Sequence, residues 1–223
     1  MSDTDSFIDE VNEEVRRDQL YQYVRKYGWI AVLLIVGVVG VTGYLEWQKA
    51  QTQNRAQALG DKLVAALNGD DPAVRANALE AMAADAGEAK VIVDMRRAGE
   101  LVAAGDKEAA LAIFDGIANS GAAPVYADLA LLKALILRGK DQDTASRDAA
   151  LATLAAPGAL YRPLALEQQA IAALDAGNRD AAVALFTEVF QDSEATDSLR
   201  NRATQMLVAL GADLPAISQL LSE

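Results

Sequence analysis

The sequence predicts an all-α protein in which one transmembrane helix precedes an α-solenoid of stacked helix pairs. Two observations lead to this prediction. Residues 28–45 form an uninterrupted uncharged stretch, and residues 69–223 contain glycines that follow helical segments at nearly regular intervals. A third observation supports the class, because no segment after residue 45 alternates apolar and polar residues in the way a half-buried β-strand does.

The stretch 28–45 (GWIAVLLIVGVVGVTGYL) predicts the transmembrane helix. At about 1.5 Å per residue such a helix covers about 27 Å, close to the hydrocarbon thickness of a bilayer. The alternative is a buried core helix, which rarely lacks a polar face over this length. Basic and aromatic side chains favour the membrane–water interface, which predicts that role for Arg25, Lys26, Trp29, Tyr44 and Trp47.

The residues after this stretch indicate that it is retained in the mature protein. The sequence there reads Glu46-Trp47-Gln48-Lys49, without the small residues of a signal-peptide cleavage site. Arg25 and Lys26 adjoin the other end, so the positive-inside rule favours a cytoplasmic N-terminus and an external C-terminal domain.

The composition excludes several classes of function. The chain has 223 residues and a formal net charge of −12, which disfavours binding to nucleic acid. It has no cysteine and no histidine, so disulfides, thiolate chemistry and the commonest general base are absent. No nucleotide-binding or hydrolase motif is present either. We therefore expect no catalytic residues, no cofactor and no metal site, and the protein is not predicted to be an enzyme.

The chain divides into four predicted parts. Residues 1–27 form a cytoplasmic N-terminal segment with apolar residues at helical spacing, which either contacts a partner or the membrane interface or is a partly ordered tail. Residues 28–45 are the transmembrane helix. Residues 46–68 form a helical connector that ends in the first solenoid helix. Residues 69–223 form the solenoid domain.

The glycines of the last part define its repeat. Gly69, Gly105, Gly139 and Gly177 are separated by 36, 34 and 38 residues. Three of them are followed closely by an N-cap candidate, namely Asp71, Asp106 and Asn178. The pattern predicts helices over 50–68, 72–86, 89–104, 107–119, 125–138, 144–155, 163–176, 179–191, 195–210 and 214–222, the last of them capping the array.

Two of the turns share a sequence signature. The run from Gly105 to Phe114 matches the run from Gly177 to Phe186, with a small alanine five residues after each glycine. This resembles the tetratricopeptide (TPR) repeat of 34 residues. The middle unit contains an insertion at residues 140–147 and departs from the signature. The residues predicted to pack the repeats are Gly105, Ala110, Phe114, Gly139, Gly177, Ala182 and Phe186.

The layout as a whole resembles the YfgM family. The residues that carry this resemblance are the short acidic N-terminus with RRDQLYQYVRKYGW, the single span, the glutamine-rich exit and the degenerate TPR-like array. The resemblance implies an inner-membrane protein with a periplasmic TPR-like domain. It further implies association with the SecYEG translocon and with periplasmic chaperones, linking protein export to folding.

These observations favour a protein–protein interaction module. The expected partners are translocon components, periplasmic chaperones or exported chains, together with the bilayer through one span. The alternative is a structural scaffold of the cell envelope that self-associates, as in cell division or outer-membrane assembly, and a homo-oligomer is compatible with either function.

Overall fold

The computed structural model describes residues 3–212, and for residues 3–24, 27, 28, 31 and 32 it describes the backbone alone. Over these residues the chain is all-helical, with nine α-helices, one short 3₁₀ helix and no β-strand. Contacts divide the chain into two compact units, Met1–Asp61 and Lys62–Glu223. The predicted all-α class is therefore confirmed for the described residues.

The first helix, α1 (Asp3–Leu67), is one uninterrupted α-helix of 65 residues. Three predicted parts of the chain, 1–27, 28–45 and 46–68, lie almost entirely on it. No break in secondary structure marks the boundaries predicted near residues 27 and 45. The side chain of Thr42 donates to the carbonyl oxygens of Val38 and Val39, at 2.9 and 3.0 Å, and so stays within its own helix.

The predicted transmembrane helix requires a correction. Among the residues that the structure describes, no helix combines the length and the apolar character needed to cross a membrane. The longest described run of uncharged side chains on α1 covers residues 33–45, which at about 1.5 Å per residue spans about 20 Å, less than the ~30 Å of a bilayer core. Three glycines and Thr42 further lower its hydropathy, and the side chains of residues 28, 31 and 32 lie outside the described part. The predicted span at 28–45 and the single-pass inner-membrane location are therefore contradicted.

The second unit contains the end of α1 and eight further α-helices, with the 3₁₀ helix Gly87–Ala89 before the third. They are α2 (Pro72–Ala83), α3 (Lys90–Ala104), α4 (Lys107–Ala118), α5 (Pro124–Arg138), α6 (Thr144–Leu154), α7 (Arg162–Asp175), α8 (Arg179–Gln191) and α9 (Asp197–Ala209). Each corresponds to a helix predicted from the sequence, with ends that differ by a few residues. The predicted last helix, 214–222, lies outside the described residues.

The starts of these helices follow from their capping residues. The three predicted N-caps each accept a hydrogen bond from a backbone N–H of the first turn, Asp71 at 2.8 Å, Asp106 at 3.0 Å and Asn178 at 3.2 Å. These bonds satisfy N–H groups that a helix start leaves without a partner. Asp143 caps α6 in the same way at 2.8 Å, so the insertion at 140–147 provides a short loop and the first turn of α6.

The buried side chains of the second unit form separate clusters shared by consecutive helices. Leu79 belongs to a cluster of α2 with α3 and the end of α1, and Phe114 to one that joins α3, α4 and α5. Leu151 belongs to a cluster of α5, α6 and α7, and Phe186 to one of α7, α8 and α9. Packing of each helix mainly against its neighbours in sequence is consistent with an α-solenoid.

Replacing Gly105 by alanine tests the backbone at the end of α3. Gly105 has φ +85°, and a Cβ added there meets no atom within 4 Å, so the expected loss of stability is the left-handed backbone cost alone, about 1 kcal/mol. Urea unfolding measures it. Gly99→Ala is the control, because Gly99 lies within α3 with equal free space, and alanine there should instead stabilise by about 0.5–1 kcal/mol. Equal effects of the two substitutions would contradict this prediction.

Candidate binding surfaces

Four of the seven predicted repeat-packing residues are side chains in the helix interfaces. Their exposed fractions are 2% or less: Ala110, Phe114, Ala182 and Phe186. Each alanine lies in the first turns of a second helix, α4 or α8, and each phenylalanine lies one turn later. A methyl side chain at such a crossing allows the two helix axes to approach closely. In the middle unit Leu154 is buried and Ala150 is half-buried.

The glycines end the first helix of each pair in a repeated way. At Gly105, Gly177 and Gly211 the glycine N–H donates to the carbonyl three residues earlier, and the next N–H donates to the carbonyl five residues before it, at 2.8 to 3.1 Å. This is the Schellman ending, for which glycine suits the left-handed position. Gly139 differs, since its φ of 58° and ψ of −122° lie outside the left-handed helical region. Sequence analysis missed Gly211, although its separation of 34 residues from Gly177 fits the repeat.

The ends of successive helix pairs are joined by polar side chains along one side of the array, which we call the turn edge (residues 104–108, 138–143, 175–180 and 210–212). The Lys107 ammonium lies 2.8 Å from the Asp141 carboxylate, and that of Lys140 lies 2.9 Å from Asp175. The Arg179 guanidinium donates to the carbonyl oxygens of the last two residues of this set that precede Ala212. Each tie links one pair to the next and so fixes their relative position at this edge.

A row of apolar side chains lies beside the turn edge, three residues before each glycine. This apolar row consists of Val102, Ile136, Leu174 and Val208. Val102, Ile136 and Val208 are 41%, 49% and 51% exposed, and Leu174 is half-buried. One turn before Leu174, Ile171 is 40% exposed. Because the four positions are equivalent in successive units, the row repeats across the array with the helix pairs themselves.

The tie between Lys107 and Asp141 makes a prediction about pH. The hydrogen bond from Lys107, and then its charge, lower the pKa of Asp141 below the ordinary value of 3.8. A lowered pKa means that the tie stabilises the fold above pH 3.8 and that this contribution is lost as the pH falls through the lower value. We expect Lys107→Met to return the pKa of Asp141 toward 3.8 in an NMR titration of its carboxyl carbon.

Asp143 is the internal control in the same titration. Its pKa is lowered by hydrogen bonds from Ser146, the backbone N–H first, and Lys107 has no part in that lowering. The pKa of Asp143 should therefore not change in the Lys107→Met variant. If the Asp141 midpoint also stays unchanged, the tie to Lys107 does not persist in solution.

Two buried carboxylates join helices that are distant in sequence, and sequence analysis missed both. Glu100 on α3 is 4% exposed and accepts from Arg75 Nε of α2 at 2.7 Å, with Arg96 as a second partner. Glu167 on α7 is 8% exposed and accepts from Arg202 of α9 at 2.8 and 2.9 Å. Hydrogen bonds to Glu167 raise the pKa of the Arg202 guanidinium. No motif in the sequence marks these pairs.

A tyrosine ties the opposite edge of the array. The Tyr161 hydroxyl, just before α7, donates to the carbonyl oxygen of Val125 in α5 at 2.8 Å. Burial raises the pKa of Tyr161, with smaller contributions from Asp128 and Tyr126. The phenol is therefore a neutral donor at neutral pH, as this bond requires.

The five residues predicted at a membrane interface are all exposed on α1. Trp29 and Tyr44 are each 62% exposed and Trp47 is 60% exposed, while Arg25 and Lys26 are exposed near the start of the group. The rings of Tyr44 and Trp47 lie with their centroids 6.2 Å apart. Their predicted interface role depended on a span at 28–45, and it falls with that span.

Comparisons with family models, with curated proteins and with solved structures give no significant match for this chain. The resemblance to the YfgM family therefore stays a prediction that rests on the sequence layout alone.

Proposed function

We propose that this chain is a scaffold that binds other polypeptides along its array of TPR-like helix pairs, with the apolar row as the contact surface. The observation that carries this proposal is the repetition of exposed apolar side chains at equivalent positions, Val102, Ile136 and Val208. A single exposed apolar residue needs no explanation, whereas a row that follows the repeat provides regularly spaced contacts for an extended partner.

The charge beside the row indicates the chemistry of that partner. The turn edge carries exposed carboxylates within a few residues of the row, including Asp106, Glu108 and Asp180. The cations at this edge, Lys107 and Lys140, are already paired with carboxylates. With a formal net charge of −12, the chain favours an extended polypeptide segment that combines apolar and basic residues. Translocon components, chaperones and exported chains, the partners that the resemblance implies, are to be tested for such segments.

Site-specific photo-crosslinking tests the proposal. A photoreactive residue placed at Ile136, and separately at Val102, should crosslink a short peptide rich in lysine and leucine. Val74 is the matched control position, because it is an equally apolar exposed residue, 57% exposed, on α2 and outside the row. The same peptide with glutamate for lysine should crosslink weakly, and added salt should reduce the yield. Equal yields from Val74 and Ile136 would overturn the proposal.

A second candidate, a self-associating scaffold, is favoured by a different observation. On α1 the apolar side chains from Leu33 to Leu45 are exposed on all sides of the helix, with exposed fractions of 56–65%. Exposed apolar surface of this extent marks an interaction site, and a second copy of this chain would cover part of it. Sedimentation at rising concentration should then show oligomers that Leu34→Gln with Val38→Gln dissociates. Val64→Gln, at an exposed position of α1 outside that range, should leave them intact.

A further inference from the structure

A cleft of about 430 Å³ opens between the first half of α3 and the second half of α4. It lies at the ends of these helices that are remote from Gly105, away from the apolar row. Apolar side chains on one wall are those of Val91, Ile113 and Ile117. Lys90, Asp94 and Arg97 supply polar groups on the other. This volume suits one large apolar side chain with its adjoining backbone.

Arg97 provides a donor in this cleft that lacks an acceptor. Its side chain is 22% exposed, and its Nη2 atom lies 2.8 Å from a carboxylate oxygen of Glu80. The Nε atom is buried and has no hydrogen-bond partner among the described residues. Such a donor costs about 1–3 kcal/mol, which a ligand oxygen that accepts a hydrogen bond would recover. Arg162 is the other described side chain with a buried nitrogen of this kind, and both of its terminal nitrogens already bind carboxylates.

Gly116 leaves space in the same cleft without any need from the fold. It lies within α4, is exposed, and an added Cβ would meet no protein atom within 4 Å. Glycine in a helix interior costs about 1 kcal/mol relative to alanine, so helix stability alone would favour a larger residue. Because Gly116 lines the cleft, its missing side chain opens that wall to close approach by a ligand.

The charges around the cleft are balanced. Lys90 pairs with Asp94, and Arg97 pairs with Glu80, so the two cations have carboxylate partners within the protein. A free carboxylate ligand would have to compete with these partners, whereas an uncharged carbonyl oxygen would not. The cleft therefore suits a neutral ligand that carries one apolar group beside a carbonyl.

We infer that this cleft is a second polypeptide-binding site, which holds one apolar side chain of an extended segment while a backbone carbonyl of that segment accepts a hydrogen bond from Arg97. The side chain packs on Val91, Ile113 and Ile117, and the backbone passes over Gly116. The inference keeps the partner class of the proposed function, polypeptide, but uses none of the residues of the apolar row. Either site can therefore be disproved without the other.

Amide NMR of the full chain titrated with N-acetyl-leucine methylamide tests this site. This neutral probe has one apolar side chain and two carbonyl groups. We expect shift changes within residues 90–97 and 113–120, and little binding of N-acetyl-glycine methylamide. Shift changes confined to other helices would overturn the inference. Tighter binding of N-acetyl-leucine, whose carboxylate is free, would overturn it in favour of a small anionic ligand.

Variants separate binding from folding. Gly116→Ala adds one methyl group to the cleft and should weaken binding of the probe about tenfold, while raising the thermal stability of the chain. Gly99→Ala should raise stability alike and leave binding unchanged, since Gly99 does not line the cleft. Arg97→Lys, which keeps a cation for Glu80 but removes Nε, should also weaken binding. Unchanged affinity in Gly116→Ala would refute the site.

Discussion

Replacing Phe186 by alanine should lower the free energy of unfolding by about 3–5 kcal/mol. The ring is 1% exposed and lies in the cluster shared by α7, α8 and α9. Removing it leaves a cavity among helices that meet through small residues such as Ala170 and Ala203, which offer little material to fill the gap. Urea unfolding followed by circular dichroism measures the loss.

Phe190 supplies the control for that substitution. It lies one turn later on the same helix and is only partly buried, so Phe190→Ala should cost clearly less than Phe186→Ala. Phe186→Leu should recover more than half of the loss, because leucine refills most of the volume. If the two alanine variants unfold at the same urea concentration, the ring of Phe186 is not a central element of this core.

Replacing Glu100 by alanine should cost about 3 kcal/mol. Its carboxylate is buried, and Arg75, whose side chain is 19% exposed, would lose this partner while remaining largely out of water. Arg75 would keep only its bonds to the carbonyl oxygens of Gly69 and Asp70, at 2.8 and 3.0 Å. The free energy of unfolding in urea is again the measurement.

A double variant distinguishes the charge from the contact. Arg75→Met with Glu100→Leu removes both charges and should restore most of the stability lost in Glu100→Ala, since no buried charge then lacks a partner. Glu167→Ala offers a comparison elsewhere in the array. Its partner Arg202 is 48% exposed and can be solvated, so this variant should lose less. Equal losses at Glu100 and Glu167 would show that burial of the arginine does not decide the cost.

The helices of the second unit could be predicted from local signals. A capping side chain marks the starts of α2, α4 and α8, and glycine marks the ends of α3 and α7. These signals act over a few residues, so the sequence displays them directly. The prediction of buried rings at Phe114 and Phe186 used the same local spacing, combined with the length of the repeat.

Other features depend on contacts between distant residues and left no local signal. Glu100 and Glu167 read as ordinary surface carboxylates until the fold places Arg75 and Arg202 against them. The cleft beside Gly116 likewise exists only after α3 and α4 are packed. The prediction for residues 28–45 was wrong for another reason, because it took an uncharged stretch as sufficient for a span. Gly211 was overlooked despite a regular spacing that was open to view.

The division of the buried side chains into separate clusters has a mechanical consequence. Each cluster of the array is shared chiefly by neighbouring helices, and α5 and α6 share few contacts. A pulling force applied across residues 62–212 should therefore release the array in several small steps, beginning beside α6, and should give a sawtooth trace in single-molecule stretching. Such an array would lengthen under load and take up its original shape piece by piece when the load is removed.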